Sequence, residues 1–219
     1  CDARPKPSSI HLTAYEVDPR LATRLRHTFG DCASVCRTAG VEFHGEVVDE
    51  DFIRAAVDML AERPLWESGD SALTFTHAIL NPPYRKLHGE SDARRALRSV
   101  GIETSNLYAA FLWLAFRLLD EGGEMIAITP RSFCNGPYFR PFRKAFLRDM
   151  AFRRIHVFES RAAAFKDADV LQENVIFKAV KSKLVGTATI SSSTSPDDVD
   201  ILSREVKPGE LVKSDDPDA

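Results

Sequence analysis

Asn81-Pro82-Pro83-Tyr84 is the segment whose residue types carry the most chemistry. Two successive prolines fix φ and remove amide donors, an amide side chain precedes them and an aromatic ring follows. Such a corner receives a planar amine. The Asn81 side-chain oxygen and the Pro82 carbonyl together accept from one exocyclic amino group, drawing its nitrogen out of planarity and freeing the lone pair for an electrophile. Tyr84 stacks on the attached ring, Pro83 stiffens the contact, and the two oxygens with the π face hold the positive charge that develops on nitrogen. The plain alternative is a proline-stiffened turn with an Asn cap.

A second set of candidates is acidic. Glu16, and the cluster from Asp49 to Asp51, stand just after predicted strands, the end of the sheet where α/β folds bind ligands. Asp51 also precedes an amphipathic pattern, so it doubles as a helix cap. A third set is basic and aromatic: Arg131 to Arg154 holds seven Arg or Lys against the single acid Asp149, interleaved with six Phe or Tyr. Arg140, Arg143 and Lys144 within it are candidate phosphate contacts or, equally, the solvated face of an amphipathic helix. Cys1, Cys32, Cys36 and Cys134 lack the paired spacing of zinc sites, and the six histidines show no pair at helical-turn spacing. No metal is expected.

The elements that must position these groups alternate. His11–Glu16 reads as a strand, stopped by Asp18-Pro19, and the following helix runs from Pro19 to about Phe29 and resumes through Ala39. Val41–Val47 is a second strand, and Asp51–Glu62 places Phe52, Ala55, Ala56, Met59 and Leu60 on one helical face. Thr74–Leu80 is a strand that delivers the proline corner. Leu107, Ala110, Phe111, Leu114 and Leu118 mark the buried stripe of a helix that Gly122-Gly123 ends, before a strand from Glu124 to Thr129. This alternation predicts an α/β fold with a mostly parallel sheet, helices on both faces and ligands beyond the carboxyl ends of the strands.

The 219 residues balance 29 Lys and Arg against 32 Asp and Glu, and 44% are hydrophobic, which excludes a disordered or collagen-like chain. Net charge of −3 disfavours an extended nucleic-acid cradle. The longest apolar stretch, Ala109–Phe116, is far short of the ~20 residues that cross a bilayer. No membrane partner is expected, and the reading is cytoplasmic. Residues 1–190 are expected to form the catalytic domain, and 191–219, rich in Ser and then Asp, a hairpin edge or acidic linker.

In order along the chain, Glu16-Val17-Asp18-Pro19, Asp51-Phe52, Asn81-Pro82-Pro83-Tyr84, Asn106-Leu107-Tyr108-Ala109-Ala110-Phe111, Gly122-Gly123 to Pro130, Ala164-Phe165-Lys166 and Gln172-Glu173-Asn174-Val175-Ile176 resemble the N6-adenine DNA methyltransferases of the Eco57I-like restriction-modification type. The resemblance implies a Rossmann-like fold that uses S-adenosylmethionine and acts on an adenine flipped from bacterial or archaeal duplex DNA. It implies catalytic Asn81, Pro82 and Tyr84, Glu16 on the cofactor ribose, Asp51 on its adenine amino group with Asp49 as competitor, Phe52 against that ring, and Phe165 against the target base. It also implies a glycine-rich cofactor loop just before the first strand, which residues 1–9 do not show. Target-recognition and nuclease domains are expected as fused or associated partners. The same corner chemistry suits a glutamine amide or an RNA base, and a decayed fold that only binds or assembles is the rival from another class.

Overall fold

The computed structural model describes residues 6–62, 74–158, 174–194, 198 and 201–212. They fall into two compact units, residues 1–55 and 56–219. In the first, β1 (Ser9–Tyr15) and β2 (Glu42–Val48) pair in parallel from Ser9 opposite Glu42 to Tyr15 opposite Val48. Between them runs α1 (Pro19–Thr38), with Asp18 at its N-cap and proline in its first turn, where a missing amide costs nothing. The helix is continuous. Gly30 weakens its pattern by about 1 kcal/mol without breaking the hydrogen-bond ladder, so the pause expected near Phe29 is not there. Phe29 is buried and meets Phe43 of β2 edge-on at 5.9 Å, while Gly45 provides the room for both rings. α2 (Phe52–Ala61) starts in this unit, capped by Asp51.

The second unit contains β3 (Phe75–Leu80), α3 (Asp92–Ser99), α4 (Leu107–Leu118), β4 (Leu119–Pro130), α5 (Arg140–Asp149), β5 (Met150–Phe158), β6 (Asn174–Lys181), β7 (Ala188–Ser193), β8 (Leu202–Val206) and α6 (Pro208–Leu211). Its sheet runs β3-β4-β6-β5-β7-β8. β3/β4 and β5/β7 are parallel, whereas β4/β6, β5/β6 and β7/β8 are antiparallel, so the sheet is mixed where alternation alone suggests a mostly parallel one. The cause is the insertion of β6 between β4 and β5. β8 lies within the stretch read as a hairpin edge or linker.

α4 is buried nearly all round, as a helix between packed layers must be. Leu107 and Phe111, expected on its buried stripe, are instead half-covered, as is Arg117. The helix ends at Leu118 rather than at Gly122-Gly123. Those glycines belong to an irregularity in β4: Phe75 pairs with Leu119 and His77 with Glu124, so residues 120–123 stand opposite Thr76 alone, and Gly122 takes φ +81° there. Phe116, Phe133, Phe142, Phe146, Phe152 and Phe177 fill the core with edge-to-face and tilted ring contacts of 5.1–6.0 Å.

Candidate active site

The proline corner begins where β3 ends. Leu80 pairs with Ala127 of β4, so Asn81 leaves the sheet beside the next residue, Ile128. Asn81 is exposed, Pro82 is buried, and Pro83 and Tyr84 are half-buried. The Arg85 amide donates to the Pro83 carbonyl at 3.2 Å, closing the turn. The chain then docks on the start of α4: Leu107 N–H donates to the Arg85 carbonyl and Leu87 N–H to the Ser105 carbonyl, both at 2.8 Å. Asn106 caps that helix, its side chain accepting from the Tyr108 amide at 3.2 Å. Among the described residues no hydrogen bond engages the Asn81 carboxamide or the Pro82 carbonyl. Two acceptors on a rigid corner, one exposed and one on a buried residue, thus have no protein partner among the described residues.

The Tyr84 hydroxyl donates to the Ile128 carbonyl at 3.2 Å, which fixes the ring on the carboxyl end of β4. Burial pushes its phenol up to about 12, so it stays neutral and acts as a ring and a donor, never as a base near neutral pH. Tyr108 stands edge-on to it at 6.2 Å, and its own hydroxyl meets Ser132 Oγ at 3.0 Å. Tyr108, Ser132 and the Ile128 carbonyl form a supporting wall that reasoning from sequence did not assign. Its available signal was a tyrosine in the first turn after the capping Asn106.

The basic segment divides. Arg140 and Lys144 are exposed one turn apart on α5. Arg143 does not join them. It is only 5% exposed and donates to the carbonyls of Phe133, Asn135 and Gly136 at 3.0, 3.1 and 2.6 Å. The expected phosphate contact at Arg143 is therefore corrected: a guanidinium whose charge is spent on buried backbone carbonyls presents nothing to a surface polyanion. Arg148 is paired with Asp149 at 2.7 Å.

In the first unit, the acids gather past the carboxyl ends of the parallel pair. Glu16 follows β1, its amide donating to the Val48 carbonyl at 3.1 Å and its Oε1 accepting from the Asp18 amide at 2.8 Å. Asp51 Oδ1 accepts from the amides of Ile53 and Arg54 at 2.8 and 3.2 Å, so its capping role is realised. Asp49 is bound to Arg26 at 2.6 Å. Phe52 tilts against Tyr15 at 5.6 Å. Phe165 lies outside the described residues.

The sequence profile described as Eco57I restriction-modification methylase matches residues 45–165. The chain belongs to this family. It is 41% identical over 211 residues to the type II methyltransferase M.PstI of Providencia stuartii, covering 96% of this chain and 40% of that protein. It is 48% identical over 155 residues to the type II methyltransferase M.BsuBI of Bacillus subtilis, covering 70% of this chain and 30% of that one. The chain thus spans less than half the length of either relative. Among solved structures it is similar to a modification subunit of a putative type I restriction enzyme from Vibrio vulnificus YJ016, with a TM-score of 0.63 and 12% identity over 87% of this chain and 36% of that one. It also resembles a putative class I S-adenosylmethionine-dependent methyltransferase from Listeria monocytogenes, with a TM-score of 0.55 and 14% identity over 89% and 61% of the two chains. At such identities these two show the fold, that of class I methyltransferases.

Proposed function

We propose that this chain is the catalytic portion of a restriction-modification enzyme that methylates N6 of an adenine in DNA, with S-adenosylmethionine as cofactor. The observation that carries the reading is the corner at Asn81: two unengaged acceptor oxygens beside a fixed aromatic ring. The names of the relatives favour DNA over the other planar amines that such a corner suits.

The adenine is extruded from the duplex, because a base inside the stack cannot reach a pocket, and stacking on Tyr84 offsets the unstacking cost of a few kcal/mol. The Asn81 side-chain oxygen and the Pro82 carbonyl accept from the two amino hydrogens, and the nitrogen lone pair turns out of conjugation with the ring. Alkylation of the nitrogen would break the bond between the methyl group and the cofactor's sulfur, which keeps the electron pair, and one of those hydrogens then leaves as a proton to solvent water. Pro83 keeps the corner rigid, and Phe165 is the proposed opposite wall for the base.

The donor set of the first unit fits the cofactor. Glu16 and Asp51 each commit one carboxylate oxygen to a helix start, and the second oxygen of each suits ribose hydroxyls and an adenine amino group, with Phe52 beside the ring. Asp49, tied to Arg26, is the weaker candidate. When bound, S-adenosylmethionine supplies an electrophilic methyl group. Arg140 and Lys144 contact phosphate, and partner domains read the sequence and cut. Such an enzyme works in the bacterial or archaeal cytoplasm.

Incubating the complete protein with cofactor labelled in its methyl group, and separately with DNA, ribosomal RNA or translation factors, tests the proposal. Label in DNA as N6-methyladenine is expected; label confined to RNA or protein overturns the substrate, and none anywhere overturns the activity.

A further inference from the structure

Arg143 has a buried guanidinium and, among the described residues, no carboxylate partner. Its Nη1 donates to the carbonyls of Phe133 and Asn135, and its Nη2 to that of Gly136. These acceptors belong to the loop between β4 and α5. Phe133 lies in a 3₁₀ turn (Arg131–Cys134), Gly136 takes φ +77°, and a second 3₁₀ turn (Pro137–Phe139) follows. Short turns leave terminal carbonyls without helical partners, and the planar fork of arginine reaches several of them at once. Nε is buried with no hydrogen bond among the described residues. A Met or Leu here would fill the space without that cost. What only the guanidinium supplies is the three-carbonyl clasp.

The clasped loop touches the candidate active site at three points. Ser132 Oγ meets the Tyr108 hydroxyl at 3.0 Å, the Phe139 ring lies 5.5 Å from the Tyr108 ring, and the Tyr138 hydroxyl bonds Ser105 Oγ. Tyr108 in turn stands edge-on to Tyr84 at 6.2 Å. Ser105 holds the segment that follows the proline corner, since its carbonyl takes the Leu87 amide. The loop therefore grips both the wall behind Tyr84 and, through Ser105, the irregular segment 85–87 that follows it.

We infer that Arg143 is a positioning residue of the candidate active site: by clasping the 131–139 loop it holds Tyr108, and against it Tyr84, where the target base must stack. The inference rests on the reading of the corner as an adenine methyltransferase site, and it concerns alignment rather than binding. A ring displaced by a fraction of an ångström still admits the base but misaligns its nitrogen, which lowers kcat and spares KM.

The test uses the complete protein and a duplex carrying its methylation site, with 2-aminopurine at the target adenine. Wild-type protein must first methylate the unmodified duplex; if it does not, the functional reading fails, not the inference. Arg143→Lys keeps the charge but cannot span three carbonyls. It is expected to lower kcat by about ten- to a hundredfold, to leave KM for DNA and cofactor and the salt dependence of binding unchanged, and to brighten 2-aminopurine by loosening its stacking. Unchanged kcat and emission overturn the inference, as does a flattened salt slope with normal turnover. If Arg143→Lys fails to fold, Tyr108→Phe carries the test, because it removes only the hydroxyl that meets Ser132; wild-type kcat and emission in that variant also overturn it.

Discussion

At the scale of single residues, the proposed site separates groups assigned to the acceptor amine from groups that hold them in place. Tyr84 shows both sides. Its ring faces the proposed base, while its hydroxyl is spent on the Ile128 carbonyl. Tyr84→Phe should therefore lose about 1 kcal/mol of stability in denaturant titration and keep most of its methylation. Tyr84→Ala removes the ring and should lose turnover. The pH dependence follows from the neutral phenol. Its folded value is raised by burial to about 12, above the model-peptide value near 10, so the unfolded chain ionises first and the stability contributed by Tyr84 is intact below pH ~10 and falls as pH rises toward ~12. In Tyr84→Phe that alkaline loss should be smaller than in wild type, and an identical alkaline unfolding curve contradicts the assignment. The turn that carries Asn81 and Tyr84 after β3 was legible in sequence because proline writes backbone geometry into residue type. The Tyr108–Ser132 contact, the Ile128 carbonyl beside Tyr84 and the inward turn of Arg143 were not, because they depend on contacts made across 24, 44 and 7 to 10 positions of the chain.

At the scale of elements, periodicity located β1 to β4 with α1, α2 and α4, left α3 and the strands β5 to β8 unread, and misplaced some of the ends. The pause expected in α1 near Phe29 is absent, since a helix tolerates the one glycine at Gly30 when its neighbours keep the ladder. Gly122-Gly123 suggested a helix stop and instead makes a bulge in β4, since a positive φ serves either purpose. Gly45 does require its hydrogen. A Cβ there falls 2.5 Å from a ring carbon of Phe29 and 2.7 Å from one of Phe43, so Gly45→Ala must displace both rings between α1 and β2. A loss of about 1–3 kcal/mol is expected from urea unfolding. On α5, reversing Arg140 and Lys144 to Glu should reduce the slope of log binding constant against log salt by roughly two, at about 0.9 per phosphate contact. An unchanged slope removes this face from the DNA contact.

At the scale of the whole molecule, two units carry complementary chemistry on the carboxyl ends of their strands. One presents Glu16 and Asp51 beyond β1 and β2, and the other presents Asn81 to Tyr84 beyond β3. The α/β class was readable from alternation, because each helix and strand declares itself locally. Strand order was not. Placing β6 between β4 and β5 depends on pairings such as Ile128 with Ile176 and Ile155 with Phe177, which no local period encodes. The most direct measurement is the single-turnover methylation rate of Asn81→Ala in the complete protein, alongside its affinity for DNA. A fall of about 10²–10³ in rate is expected, the scale of losing one oriented polar contact at a reacting centre, with DNA affinity retained. Turnover at the wild-type rate contradicts the two-oxygen grip on the amine and, with it, the role assigned to this corner.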